Sequence, residues 1–110
     1  MELHINGRDI ALDKDGYLIN LEDWDKEIAN TIAAQENILL TPAHWEIIAL
    51  LQEFYREFEL SPAMRALVKY TEKKLGAEKG RSIYLLELFP PSPARIASKI
   101  AGLPRPTNCL

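Results

Sequence analysis

Apolar residues change their spacing along the chain, and the change divides it into elements. Leu3-His4-Ile5-Asn6-Gly7-Arg8-Asp9-Ile10-Ala11-Leu12 sets two short runs about an Asn-Gly pair, which suits the positive-φ positions of a tight turn and predicts an N-terminal hairpin. Asp15-Gly16 reads as a second turn, followed by Tyr17-Leu18-Ile19. From there the spacing lengthens to three and four. Leu21, Trp24, Ile28 and Ile32 share one face of a helix predicted over about Leu21 to Glu36, with Asn20 as its cap. Thr41-Pro42 and Ser61-Pro62 each put a hydroxyl before a proline, the signature of a helix start. The first predicts a helix over Pro42–Phe58 burying Ile47, Leu51, Phe54 and Phe58, flanked by Ile48 and Tyr55. The second predicts a helix over Pro62–Leu75, with Met64, Leu67 and Val68 inward, Lys73 and Lys74 in its last turn and Gly76 as its stop. A short helix is expected over Lys79–Phe89, offering Ile83, Tyr84, Leu86 and Leu88 for packing. A last one, opened by Ser92-Pro93, should run to about Ala101 and stop at Gly102.

The predicted fold is therefore mainly α with a small N-terminal β-hairpin, an α+β arrangement. It comprises one helical domain over residues 1–101, containing a helix-turn-helix-like element, and a flexible arm over residues 102–110. Composition agrees: 110 residues, 47% apolar and 26% charged, make one small domain with no room for a nucleotide-binding unit beside a substrate unit. No run approaches the roughly 18 apolar residues of a membrane span, and the N-terminus lacks the basic start and apolar core of a secretion signal, so a cytoplasmic protein without membrane contact is expected.

Charge is unevenly placed. Residues 1–60 carry thirteen acids and four bases, and residues 61–110 carry three acids and nine bases, within an overall net charge of −3. The basic half either attracts an anionic partner or lies beside the acidic helices as a solvated face. Arg65, Lys69, Lys79 and Arg81, with Lys99 and Arg105 nearer the end, are its candidate partner or anion contacts.

In Gly102-Leu103-Pro104-Arg105-Pro106-Thr107-Asn108-Cys109-Leu110, two closely spaced prolines prohibit regular helix and favour an extended, stiffened arm. At ~3.1 Å per residue the stretch from Gly102 to Cys109 reaches about 20 Å. Cys109 is the sole cysteine, so one chain can form neither an internal disulfide nor a cysteine-rich zinc site. Taken alone, it reads either as a stray cysteine near a frayed end or as an accessible nucleophile whose thiolate nearby Arg105 or Lys99 would favour.

The tail Lys99-Ile100-Ala101-Gly102-Leu103-Pro104-Arg105-Pro106-Thr107-Asn108-Cys109-Leu110 resembles the C-terminal arm of the DsrC/TusE family. The resemblance extends through Asp15-Gly16-Tyr17-Leu18, Thr41-Pro42-Ala43-His44-Trp45-Glu46, Phe54-Tyr55, Ser61-Pro62-Ala63-Met64-Arg65, Glu78-Lys79-Gly80-Arg81-Ser82-Ile83-Tyr84-Leu85 and Leu88-Phe89-Pro90, in family order. It implies a small helical protein whose arm presents Cys109 as a carrier of sulfane sulfur. TusE-like members take persulfide sulfur from a TusBCD-type complex and pass it to an MnmA-type tRNA thiouridylase with its tRNA, ending in wobble 2-thiouridine. DsrC-like members work with dissimilatory sulfite reductase and carry a second cysteine where this chain has Ser98, so the resemblance favours the single-thiol, TusE-like role. Ser92 and Arg95-Ile96 also depart from the usual family residues.

The expected function is a sulfurtransferase-type carrier, a co-substrate protein without a pocket or cofactor of its own. The alternative is a one-cysteine DsrC-like protein associated with sulfite reductase or sulfur oxidation, or a regulatory, DNA-binding helix-turn-helix protein built on Ser61–Phe89. His4 and His44 lack a paired-histidine motif and a second cysteine, so no metal site is expected, and His44 reads as a structural first-turn residue.

Overall fold

A computed structural model of the chain describes residues 1–106. Strands β1 (Glu2–Ile5) and β2 (Arg8–Ala11) pair antiparallel with Leu3 opposite Ile10, and Asn6 and Gly7 take the positive φ values, 47° and 76°, that a two-residue turn between them demands. Leu3 and Ile10 face inward from one side of the ribbon, and the other side is solvated. Asn6 Nδ2 donates to the Glu27 carboxylate at 2.6 Å and Arg8 pairs with Asp25 at 2.9 Å, which seats the hairpin on the first helix.

Five α-helices follow: α1 (Lys26–Gln35), α2 (Pro42–Phe58), α3 (Met64–Leu75), α4 (Ser82–Leu88) and α5 (Pro93–Ile100). α5 is the centre of the assembly and packs against all four others. Arg95 and Lys99 apart, every residue of α5 is buried, which is the pattern of a helix enclosed on nearly all sides. Around it Ile28, Ile32, Ile47, Ile48, Leu51, Leu67, Leu85 and Phe89 are almost wholly removed from water. Two helices joined by the Gly76–Arg81 turn, α3 and α4, form the expected two-helix element. Gly80 is required in that turn, because a Cβ there would lie 2.4 Å from the Glu72 backbone.

Several boundaries differ from the sequence reading. Asn20 precedes only a three-residue 3-10 turn, Leu21–Asp23. The backbone is extended at Trp24, and α1 starts after Asp25, whose carboxylate accepts from the Ile28 N–H at 2.8 Å. α3 starts at Met64, not Pro62. Ser61 spends its hydroxyl elsewhere and Pro62 is buried, so the Ser-Pro pair anchors the chain without capping the helix. α4 begins at Ser82, and it buries Leu85 while leaving Ile83 (55% exposed) and Leu86 at the surface. Phe58, expected inside, is 47% exposed; it sits in the last turn of α2, beyond the core, its ring centre 4.6 Å from that of Phe54 with the planes tilted by 47°.

Candidate functional site at the root of the arm

The segment carrying the predicted arm starts at the C-terminus of α5, where the last carbonyls of a helix need partners from outside it. Ala101 caps the helix and Gly102 takes φ +77°. The Gly102 N–H then donates to the Lys99 carbonyl at 3.1 Å and the Leu103 N–H to the Ser98 carbonyl at 2.9 Å, the paired bonds of a Schellman ending, with Leu103 buried as its apolar partner. Two side chains complete the set. Trp24 Nε1 donates to the Ile100 carbonyl at 2.8 Å, and Gln52 Nε2 to the Ala101 carbonyl at 3.0 Å. All carbonyls from Ala97 to Ala101 are thus occupied, and the heading of the chain at Gly102 is fixed by hydrogen bonds in three different elements.

Gly102 has a second role. A Cβ there would fall 2.4 Å from Trp24 Cδ1, so only glycine lets the Trp24 side chain pack against the turn. Trp24 and Gln52 also separate two open clefts along α2. One, about 250 Å³, is bounded by Leu21, Tyr55 and Leu103, and the other, about 340 Å³, by Trp45, Ile48 and Lys26.

Further along, the Ser61 hydroxyl donates to the Pro104 carbonyl at 2.5 Å, and Pro106 is buried. Arg105 forms an ion pair with Asp15, and its guanidinium lies 5.7 Å from the Tyr17 ring centre. Local chemistry makes this turn firm. Asp13 Oδ1 accepts from the Asp15 and Tyr17 N–H groups at 2.8 and 3.0 Å, Gly16 takes φ +88°, and the Tyr17 hydroxyl donates to the Arg95 carbonyl at 3.1 Å. Lys99 lies over Gly16 and the Tyr17 ring and donates to Glu36 at 2.9 Å. Lys99 and Arg105, separate candidates in the sequence, therefore meet at one ring. A cleft of about 340 Å³ lies beside them, lined by Asp15, Tyr17, Glu36, Arg95 and Lys99 among others. Cys109 lies outside the described residues.

Ser98, on the inner face of α5, is fully buried, and its hydroxyl is the one buried side-chain oxygen or nitrogen among the described residues without a hydrogen-bond partner. The remaining candidates fall elsewhere. Arg65 and Lys69 form, with Lys73, an exposed row along α3 at four-residue spacing, and no ion pair is recorded for any of them among the described residues. Lys79 pairs with Glu46 at 2.7 Å, and that carboxylate holds its ammonium above the ordinary lysine value. Arg81 Nε donates to the Glu78 carbonyl. His44 is structural: its Nδ1 accepts from the Thr41 N–H at 3.1 Å and its Nε2 faces the Leu88 carbonyl at 2.8 Å, so the ring ties the start of α2 to the end of α4. Glu2, His4 and Asp9 bring ligand atoms within 4.8 Å of one another on the hairpin, all exposed. There the 2.5 Å bond from His4 Nδ1 to Asp9 raises the imidazole above its usual value, as a cross-strand pair does.

Residues 4–110 match the family described as DsrC like protein. The chain belongs to the DsrC/TusE family. Among its DsrC/TusE relatives, the sulfurtransferase TusE homolog of Haemophilus influenzae is 52% identical over 108 residues, 98% of this chain and 99% of that protein. Sulfurtransferase TusE of Photorhabdus laumondii is also 52% identical over 108 residues, 98% and 97% of the two chains. The solved DsrC of Allochromatium vinosum matches with a TM-score of 0.89 at 47% identity, covering 100% of both chains. The oxidised DsrC, gamma-subunit of the dissimilatory sulfite reductase of Archaeoglobus fulgidus, does so with 0.85 at 37% and the same coverage. Full-length similarity at this level makes this DsrC/TusE member a sulfur-relay protein of the TusE sulfurtransferase kind, and its partners those of a sulfur relay. Among the described residues no helix is long and apolar enough to cross a membrane.

Proposed function

We propose that Cys109 is the sulfur-carrying group of this relay protein. The observation that carries the proposal is that about half of all positions agree with TusE sulfurtransferases along nearly the whole chain, while Cys109 is the single thiol present. In the first step the Cys109 thiolate attacks the outer sulfur of a donor persulfide; the new S–S bond forms as the donor's S–S bond breaks, and the donor leaves as a thiolate. In the second, an acceptor thiolate attacks the outer sulfur of the Cys109 persulfide and regenerates the Cys109 thiolate. Neither step changes the overall oxidation level, so a single thiol is sufficient. Ser98 supports this reading, because a hydroxyl there cannot resolve the persulfide to an internal disulfide.

The donor we assign is a TusBCD-type complex and the acceptor an MnmA-type tRNA thiouridylase, which places the chain in wobble-uridine 2-thiolation in the cytoplasm. Pro104 and Pro106 reduce the conformational entropy lost when the arm enters a partner's cleft. The test is intact mass after incubation with a persulfide-generating cysteine desulfurase and candidate relay proteins, alongside Cys109→Ser. One added sulfur atom on the wild type and none on the variant, with identical circular dichroism, is expected; an unmodified wild type beside any competent donor refutes the carrier role. Loss of tRNA 2-thiouridine on deletion is the expected pathway result, and capture of sulfite reductase without a TusBCD-like complex would overturn the partner assignment.

A further inference from the structure

We propose that Asp15 is a positioning residue for the arm: through its ion pair with Arg105, seated against the Tyr17 ring, it sets where Pro106 is held and so how far the terminal thiol can range. The turn that carries Asp15 has the rigidity the task requires. The Asp13 carboxylate fixes the backbone on both sides of Gly16, the Tyr17 hydroxyl is tied to α5, and Lys99 closes over the turn. Asp15 therefore offers Arg105 a carboxylate that is placed before the arm arrives.

The consequence for reach follows from covalent geometry. Cys109 lies three residues beyond Pro106, a tether of at most roughly 11 Å, whereas a chain held only through the Ser61–Pro104 bond has five residues and roughly 18 Å. Lengthening the tether by about two-thirds dilutes the thiol at any one docked position about twofold, as the −3/2 power of tether length. The Ser61–Pro104 bond alone leaves Arg105 free to swing, so among the described residues the ion pair is the side-chain contact that fixes the approach to Pro106. The effect on sulfur transfer rests on Cys109 as the carrier; the positioning itself does not.

Because Cys109 is the sole cysteine, a nitroxide can be attached there in the full-length protein without other changes. Asp15→Asn and Arg105→Gln are each expected to narrow the spectrum to that of a more mobile label, and the exchange Asp15→Arg with Arg105→Asp to restore most of the wild-type line shape. Unlabelled, Asp15→Asn should raise KM for a protein persulfide donor about twofold with kcat and the rate of alkylation by iodoacetamide unchanged. Equal mobility in wild type and single variants, or failure of the exchange to restore it, overturns the positioning role. A mobility change without any sulfur loading on the wild type would leave the positioning standing and refute the carrier reading instead.

Discussion

Gly102 answers two demands at once, a left-handed backbone and an indole pressed against its Cα, and no other residue meets both. Alanine there meets the αL cost, ~1–2 kcal/mol, and the overpacking cost, ~1–3 kcal/mol, so Gly102→Ala should lose about 2–5 kcal/mol in equilibrium urea unfolding. A loss well under 1 kcal/mol would mean that Trp24 yields freely. Ser98 predicts the opposite sign. Its buried, unpartnered hydroxyl was desolvated without return, so Ser98→Ala should raise stability by up to about 1 kcal/mol and lift the melting temperature. The sequence shows Gly102 as a helix stop, since that signal is local. It does not show Trp24 as the donor to Ile100, because 76 residues separate the pair and an indole has no local signature for its partner.

Elements whose ends are decided locally match their sequence signals closely. α2 and α5 begin at the prolines that mark them, and the Asn-Gly turn makes the hairpin. The starts of α1 and α3 differ from their sequence signals for different reasons: Asp25 rather than Asn20 caps α1, and the Ser61 hydroxyl is engaged at long range by Pro104. α1 carries a pH signature. The Ile28 N–H, and after it Arg8, hold the Asp25 carboxyl below its ordinary value in the folded protein. A lowered carboxyl value stabilises the fold fully above the unfolded-chain value, and that contribution fades as pH falls through the folded value. Asp25→Asn keeps a capping oxygen that does not titrate. Its unfolding midpoint should therefore fall less steeply than that of the wild type between pH 5 and pH 2; parallel acid limbs would show that the cap carries no such linkage.

Across the whole molecule, the acidic first half and basic second half are stitched together. Asp15–Arg105, Glu36–Lys99, Glu46–Lys79 and Glu53–Lys74 each join one to the other, so the charge division seen in the sequence is in good part internal pairing, while the Arg65, Lys69, Lys73 row stays outside it. Sequence could show the division and not the pairing, which depends on α5 lying at the centre. Only Glu36–Lys99 is largely withdrawn from water. Lys99→Met should therefore cost more than removal of any other lysine in these pairs, about 1–2 kcal/mol by denaturant unfolding, and 1 M NaCl should lower the wild-type melting temperature by only a few degrees. The Trp24 indole, bonded to the last turn of α5 and packed against Gly102, gives the chain an optical property of its own. With Trp45→Phe removing the second indole, the emission wavelength of Trp24 becomes a native dye for the seat of the arm, readable in real time as a partner takes hold of the other end.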